Sequence, residues 1–137
     1  MVNKQQTEKV LRRLLKGGVM KRMPRNRKDT KIFLALAASS FDPQNSYSEN
    51  EINEHLIEWM ADFTRPSALD HVTIRRCLID HYFLSRDQSG SSYATNQTII
   101  NNVIDPAARS IQPRYIFEDV QREREIRKRA AATSQEV

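Results

Sequence analysis

One cysteine, three glycines and no long apolar run constrain this 137-residue chain before any motif is read. The lone thiol, Cys77, excludes an internal disulfide. The opening residues Met1-Val2-Asn3-Lys4-Gln5-Gln6 carry no apolar stretch of the secretory kind, so a reducing, cytoplasmic setting is expected. Nothing approaches the roughly 18 apolar residues of a membrane span, so no membrane partner is expected. Two of the three glycines stand together as Gly17-Gly18, which leaves no glycine-rich phosphate loop. The histidines are His55, His71 and His81. Cys77 and His81 lie four apart, as do Glu51 and His55, but no second Cys/His pair completes a zinc pattern. With no nucleophile motif either, the expectation is no enzyme: no catalytic residue, no metal ligand and no cofactor.

What is present is charge, spread unevenly. Met1 to Lys31 holds 11 basic and 2 acidic residues, a net of +9. Ile32 to Val120 holds 6 basic and 12 acidic residues, a net of −6. Gln121 to Val137 holds 5 basic and 3 acidic, a net of +2. A basic arm on an acidic body is an electrostatic lure for a polyanion or an acidic surface.

Periodicity predicts a first helix from about Gln5 to Lys16, with a stripe of Val10, Leu11, Leu14 and Leu15, stopped by Gly17-Gly18. Val19 to Lys28, broken by Pro24, reads as an arm or linker. A second helix near Thr30 to Ser39 is apolar on most sides and is therefore expected at the centre. Ser48 and Glu51 have the spacing of a capping box, with Tyr47 and Ile52 placed for a hydrophobic staple. The third helix then buries Ile52, Leu56, Trp59 or Met60, and Phe63, and shows Glu49, Glu54 and Glu58 outside. Ser67 with Asp70 suggests a fourth start, and a helix from Ala68 to about His81 follows. It puts Ile74, Leu78 and Tyr82 on one side. Arg75 falls on that side and is expected to lay its stem over the core and meet a carboxylate. Thr73, Arg76 and Asp80 face away, and Asp80 is spaced to pair with Arg76. Phe83 to Arg86 and Ser91 to Ala94 around Asp87-Gln88-Ser89-Gly90 predict a hairpin. A short helix over Thr98 to Ile104 and a long one from Pro113 complete the chain. The long one carries Glu118–Arg122, Glu123–Arg127 and Glu125–Arg129 at the helical pairing distance, and its end from Ala130 is expected to fray.

Three helices and a hairpin in that order describe a winged helix-turn-helix. The expected fold is mainly α with a small β-hairpin, a winged helix-turn-helix core with flanking N- and C-terminal helices. The expected division is 1–22 as N-terminal basic helix and arm, 23–95 as the winged-helix-like domain, and 96–137 as a C-terminal helical extension.

Several motifs in sequence carry a family resemblance. They are Pro24-Arg25-Asn26-Arg27-Lys28-Asp29, Tyr47-Ser48-Glu49-Asn50-Glu51-Ile52-Asn53-Glu54, Asp70-His71-Val72-Thr73-Ile74-Arg75-Arg76, Leu78-Ile79-Asp80, Leu84-Ser85-Arg86-Asp87 and Gly90 to Tyr93. From about Met23 to Tyr93 the chain resembles domain-of-unknown-function family 2087. The resemblance implies a small winged-helix domain, sometimes attached to transcription-regulator-like DNA-binding domains, and implies no reaction or ligand. The chain departs from the family pattern at Ala61 to Leu69, which looks inserted, and at Tyr82, where a glycine is usual.

The leading expectation is binding of double-stranded DNA by a transcription-regulator-like module. Lys21, Arg22, Arg25, Arg27, Lys28 and Lys31 would meet phosphates, Thr73 and Arg76 the groove, and Arg86 the duplex from the wing. Asp70, Asp80 and Asp87 oppose that reading. The alternative is a protein-protein interaction module that never enters DNA. In it the narrow apolar stripes of the terminal helices, Val10 with Leu14 and Ile116 with Val120, would pack back on the domain or form a homodimer.

Overall fold

The computed structural model describes residues 1–135. Six helices and one hairpin follow in order. They are α1 (Lys4–Leu15), α2 (Arg27–Ser39), α3 (Glu49–Met60), α4 (His71–Asp80), β1 (Leu84–Arg86), β2 (Tyr93–Thr95), α5 (Gln97–Val103), a 3₁₀ turn (Pro106–Ala108) and α6 (Pro113–Gln135). The arrangement is mainly helical and winged-helix-like.

The helix starts are set by side-chain caps. Ser48 accepts from the Glu51 N–H, and the Glu51 carboxylate accepts from the Ser48 N–H, which is the predicted box. Asn3 and Gln6 build the same reciprocal pair at the start of α1. α2 begins three residues earlier than expected, because the Asn26 side chain accepts from the Asp29 N–H and caps it there. Arg27 and Lys28 are therefore helical, and the arm shortens to residues 19–26. α4 begins later than expected. Asp70, not Ser67, is its cap, accepting from the Thr73 N–H. Residues 65–69 instead make a turn that buries Leu69.

α2 is the central element, with every residue from Ile32 to Ala38 buried. Against it pack Ile52, Leu56 and Met60 of α3 and Ile74 and Leu78 of α4. Phe63, just past α3, is fully buried, with its ring edge-on to Phe33 and to the half-buried Trp59. The hairpin pairs Leu84 with Thr95, Ser85 with Ala94 and Arg86 with Tyr93. It gains one further rung outside the sequence expectation: Tyr47 and Tyr93 exchange both backbone bonds, at 2.8 and 2.7 Å. That rung ties the entry of α3 to the wing.

Tyr82 departs from the expected apolar side of α4. It is 71% exposed, and its φ of +67° lies in the left-handed region. The helix has ended at Asp80, and the chain reverses there into β1. The position therefore favours a glycine, and this chain holds a tyrosine in it.

The terminal helices close on each other. Val10 of α1 and Ile116 and Val120 of α6 are buried and Leu14 is partly buried, so the two narrow stripes pack back within one chain. Arg12 reaches Glu123 at 3.0 Å and Asp119 at 3.9 Å. The predicted i,i+4 pairs of α6 do not form among the described residues. Arg122 meets Asp119 at i,i+3 instead. α6 runs through Ala130 to Gln135, and the rest of the end expected to fray, residues 136 and 137, lies outside the described residues. Val2 is clamped to the end of α5 by bonds to Val103 and Asp105. No helix among the described residues is long and apolar enough to cross a membrane.

Candidate nucleic-acid interface

The arm is pinned rather than loose. The Met20 N–H donates to the Phe63 carbonyl at 2.8 Å, and the Met20 carbonyl accepts from the Arg65 N–H at 2.9 Å. One end of the arm therefore sits on the link that leads into α4. Its other end is fixed by Asn26 and Asp29. Asp29 is 3% exposed and receives both terminal nitrogens of Arg13, at 2.6 and 2.9 Å, together with Asn26 Nδ2 at 2.8 Å. These donors, the Arg13 guanidinium first, hold the Asp29 carboxyl below the usual carboxylate range against the opposing cost of burial. Its charge is thus satisfied by α1 and is not available to the arm.

Lys21, Arg22, Arg25, Arg27, Lys28 and Lys31 are all exposed, and none has an ion-pair partner among the described residues. They fall into two neighbouring groups. Lys21, Arg22 and Arg25 line a cleft of about 750 Å³ between the arm and the end of α1. Arg27, Lys28 and Lys31 line a cleft of about 670 Å³ whose other wall includes Asp80, His81 and Tyr82 from the end of α4. Asp80 lies one helical turn beyond Arg76 on the exposed side of α4, so the α2 cations share a cleft with the end of that helix, and Arg76 itself stands outside the cleft lining.

The remaining expected contacts are also placed. Arg76 is exposed, and its predicted partner Asp80 does not reach it within 4.0 Å. Thr73 is exposed, but its hydroxyl donates to Asp70 at 2.8 Å and belongs to the helix cap. Arg86 is exposed at the end of β1. Asp87 beside it turns inward on its own loop, accepting from the Ser91 and Ser92 N–H groups and the Ser89 and Ser91 hydroxyls. Those bonds, the Ser91 hydroxyl first, hold its carboxyl below the usual range. Arg75 behaves as its apolar setting predicts: it lies over the core, bonds Asn53 and reaches Glu49 at 3.5 Å. The exposed Tyr82 also belongs to this surface. Helix spacing put Tyr82 on the apolar side of α4, and the chain reversal after Asp80 turns it outward instead.

The region that carries these groups coincides with a family boundary. Residues 19–95 match domain-of-unknown-function family 2087 (DUF2087), described as an uncharacterized protein conserved in bacteria. The chain belongs to this family. No curated protein and no solved structure matches the chain. The match begins at the arm and ends with β2, so α1, α5 and α6 lie outside it. Within it fall all nine side chains considered above for DNA, from Lys21 to Arg86.

Proposed function

We propose that this chain is a DNA-binding, transcription-regulator-like module rather than an enzyme. The observation that carries the reading is the set of six cations on the arm and α2 that make no ion pair among the described residues, half of which share a cleft with the C-terminal end of α4. Duplex DNA carries one charge per roughly 1.7 Å, and neutralising it with lysine and arginine supplies most of the non-specific affinity. In this reading the arm and α2 hold the backbone, Arg76 faces the groove, and Arg86 approaches the duplex from the wing. The electrostatic objection is met only in part by geometry. Asp29 is paired with Arg13, and Asp87 and Asp70 turn their oxygens onto their own loop and cap, but those hydrogen bonds keep both carboxylates charged, so with Asp80 they remain opposing charges near α4 and the wing.

Fluorescence anisotropy of the whole chain with duplex DNA across a salt series tests this. The expected log affinity falls against log salt with a slope of about −4 to −6, as five or six neutralised phosphates require. Absence of binding at low salt refutes it. A protein-interaction module is the second reading, favoured by the outer face of α3. There Glu54, Glu58 and Asp62 are exposed around Ile57, itself half exposed. That face suits a basic partner and would repel a phosphate backbone.

A further inference from the structure

A third cleft, of about 420 Å³, opens where the ends of α2 and α3 face the link between the 3₁₀ turn and α6. It lies at the junction of the family region and the C-terminal extension. Three charged groups line it, namely Glu58, Arg109 and Arg114, and none of them makes an ion pair within 4.0 Å among the described residues.

Arg109 is the unusual one. It is half-buried, and its terminal nitrogens bond only neutral oxygens, those of Gln97 at 2.6 Å and of Asn101. Its Nε–H is buried with no acceptor. A half-buried cation without a counter-charge, and with one donor unused, is costly unless an anion completes it. Arg114 is steadied by the Tyr115 ring, 4.7 Å from its guanidinium carbon. Glu58 supplies the opposite sign on the same cleft. Leu36, Trp59 and Ile111 add apolar surface. His55 adds no charge, since burial pulls its pKa down and its Nε2 sits 2.7 Å from the Ser40 hydroxyl.

We propose that this cleft binds a small zwitterion of the α-amino-acid class. Its carboxylate meets Arg109 and Arg114, its ammonium meets Glu58, and an aliphatic side chain lies on Leu36, Trp59 and Ile111. Occupancy joins α2 and α3 to the C-terminal extension, so the ligand stabilises the whole chain by mass action. The site is separate from the arm, and its test needs no nucleic acid.

Trp59 is the only tryptophan, so intrinsic fluorescence of the full chain reads this cleft directly. The probes are leucine, 4-methylpentanoate, which lacks the ammonium, and 3-methylbutylamine, which lacks the carboxylate. Leucine is expected to give a saturable change, and each one-charge probe to bind at least about tenfold more weakly. Glu58→Gln should lower leucine affinity to that of the acid and leave the acid unchanged. Arg109→Gln should weaken leucine and the acid alike. Arg114→Gln, at an exposed position, repeats that arm if Arg109→Gln unsettles α5. Two outcomes overturn the proposal. One is no fluorescence change and no calorimetric heat with leucine up to on the order of 10 mM, the weak end of useful affinity. The other is a Glu58→Gln variant that binds leucine as tightly as the parent.

Discussion

Replacing Arg13 by alanine should unsettle the joint between α1 and the family region by about 2 kcal/mol at neutral pH. Breaking a fully buried ion pair from one side costs roughly 3–5 kcal/mol, because the remaining charge is left without a partner. Asp29 meets that description, but 56% of the Arg13 side chain is exposed. Water therefore screens the pair and reaches part of the vacated space, which cuts the figure to about half. The sign with pH is fixed by the shift. The folded pKa of Asp29 lies below its ordinary value, so its contribution is present above the unfolded pKa and lost as pH falls through the folded one. Without Arg13, burial is opposed only by Asn26 and the nearby Lys28 charge, and the carboxyl takes up its proton at higher pH. Urea denaturation of parent and variant at about pH 7 and about pH 3 reads both effects. The difference should be large at the first pH and shrink at the second. In an Asp29→Asn background Arg13→Ala should cost under about 0.5 kcal/mol, as a surface truncation does. A difference that stays the same at both pH values would refute the ion pair as the joint.

Further outcomes follow from other elements. Tyr82→Gly should stabilise by about 0.5–1 kcal/mol in the same assay, since relief of the left-handed strain exceeds the entropy a glycine costs. An unchanged or lowered midpoint would mean that the tyrosine ring earns its place by packing. Asn26→Ala should cost about 1–2 kcal/mol, because it removes the α2 cap and one donor to Asp29. A loss under about 0.3 kcal/mol would place the start of α2 elsewhere. His55 has its folded pKa depressed by burial, with Glu58 a smaller opposing influence. Stability should therefore fall as pH drops below its ordinary value of 6.5, and His55→Gln should flatten that part of the profile.

The start of α3 was legible because a capping box is local: Ser48 and Glu51 are three residues apart and nothing distant competes. The starts of α2 and α4 were harder for the same reason in reverse. Pro24 and the basic run drew attention from Asn26, and Ser67 three residues before Asp70 imitated a box that the 65–69 turn does not use. Arg75 was readable, because an arginine on an apolar stripe has few options. The Arg13–Asp29 pair was not, since its partners lie 16 residues apart on two helices and only packing brings them together. The pairing of α1 with α6 was hidden likewise. Each stripe alone looks too narrow for a core, and the two complete one another. The six cations were visible as composition. Their division into two clefts, one facing the end of α4, required the chain reversal at Tyr82.

The measurement that tests the DNA reading most directly is a comparison of salt slopes. The parent chain and an Arg27→Gln, Lys28→Gln, Lys31→Gln variant are titrated with the same duplex DNA. All three side chains are exposed and make no ion pair among the described residues, and Arg13 still holds Asp29 when the Lys28 charge is removed, so the fold should persist. If the α2 cations hold the phosphate backbone, the slope of log affinity against log salt should become shallower by about three units. An unchanged slope, or a parent chain that does not bind at low salt, would contradict the account.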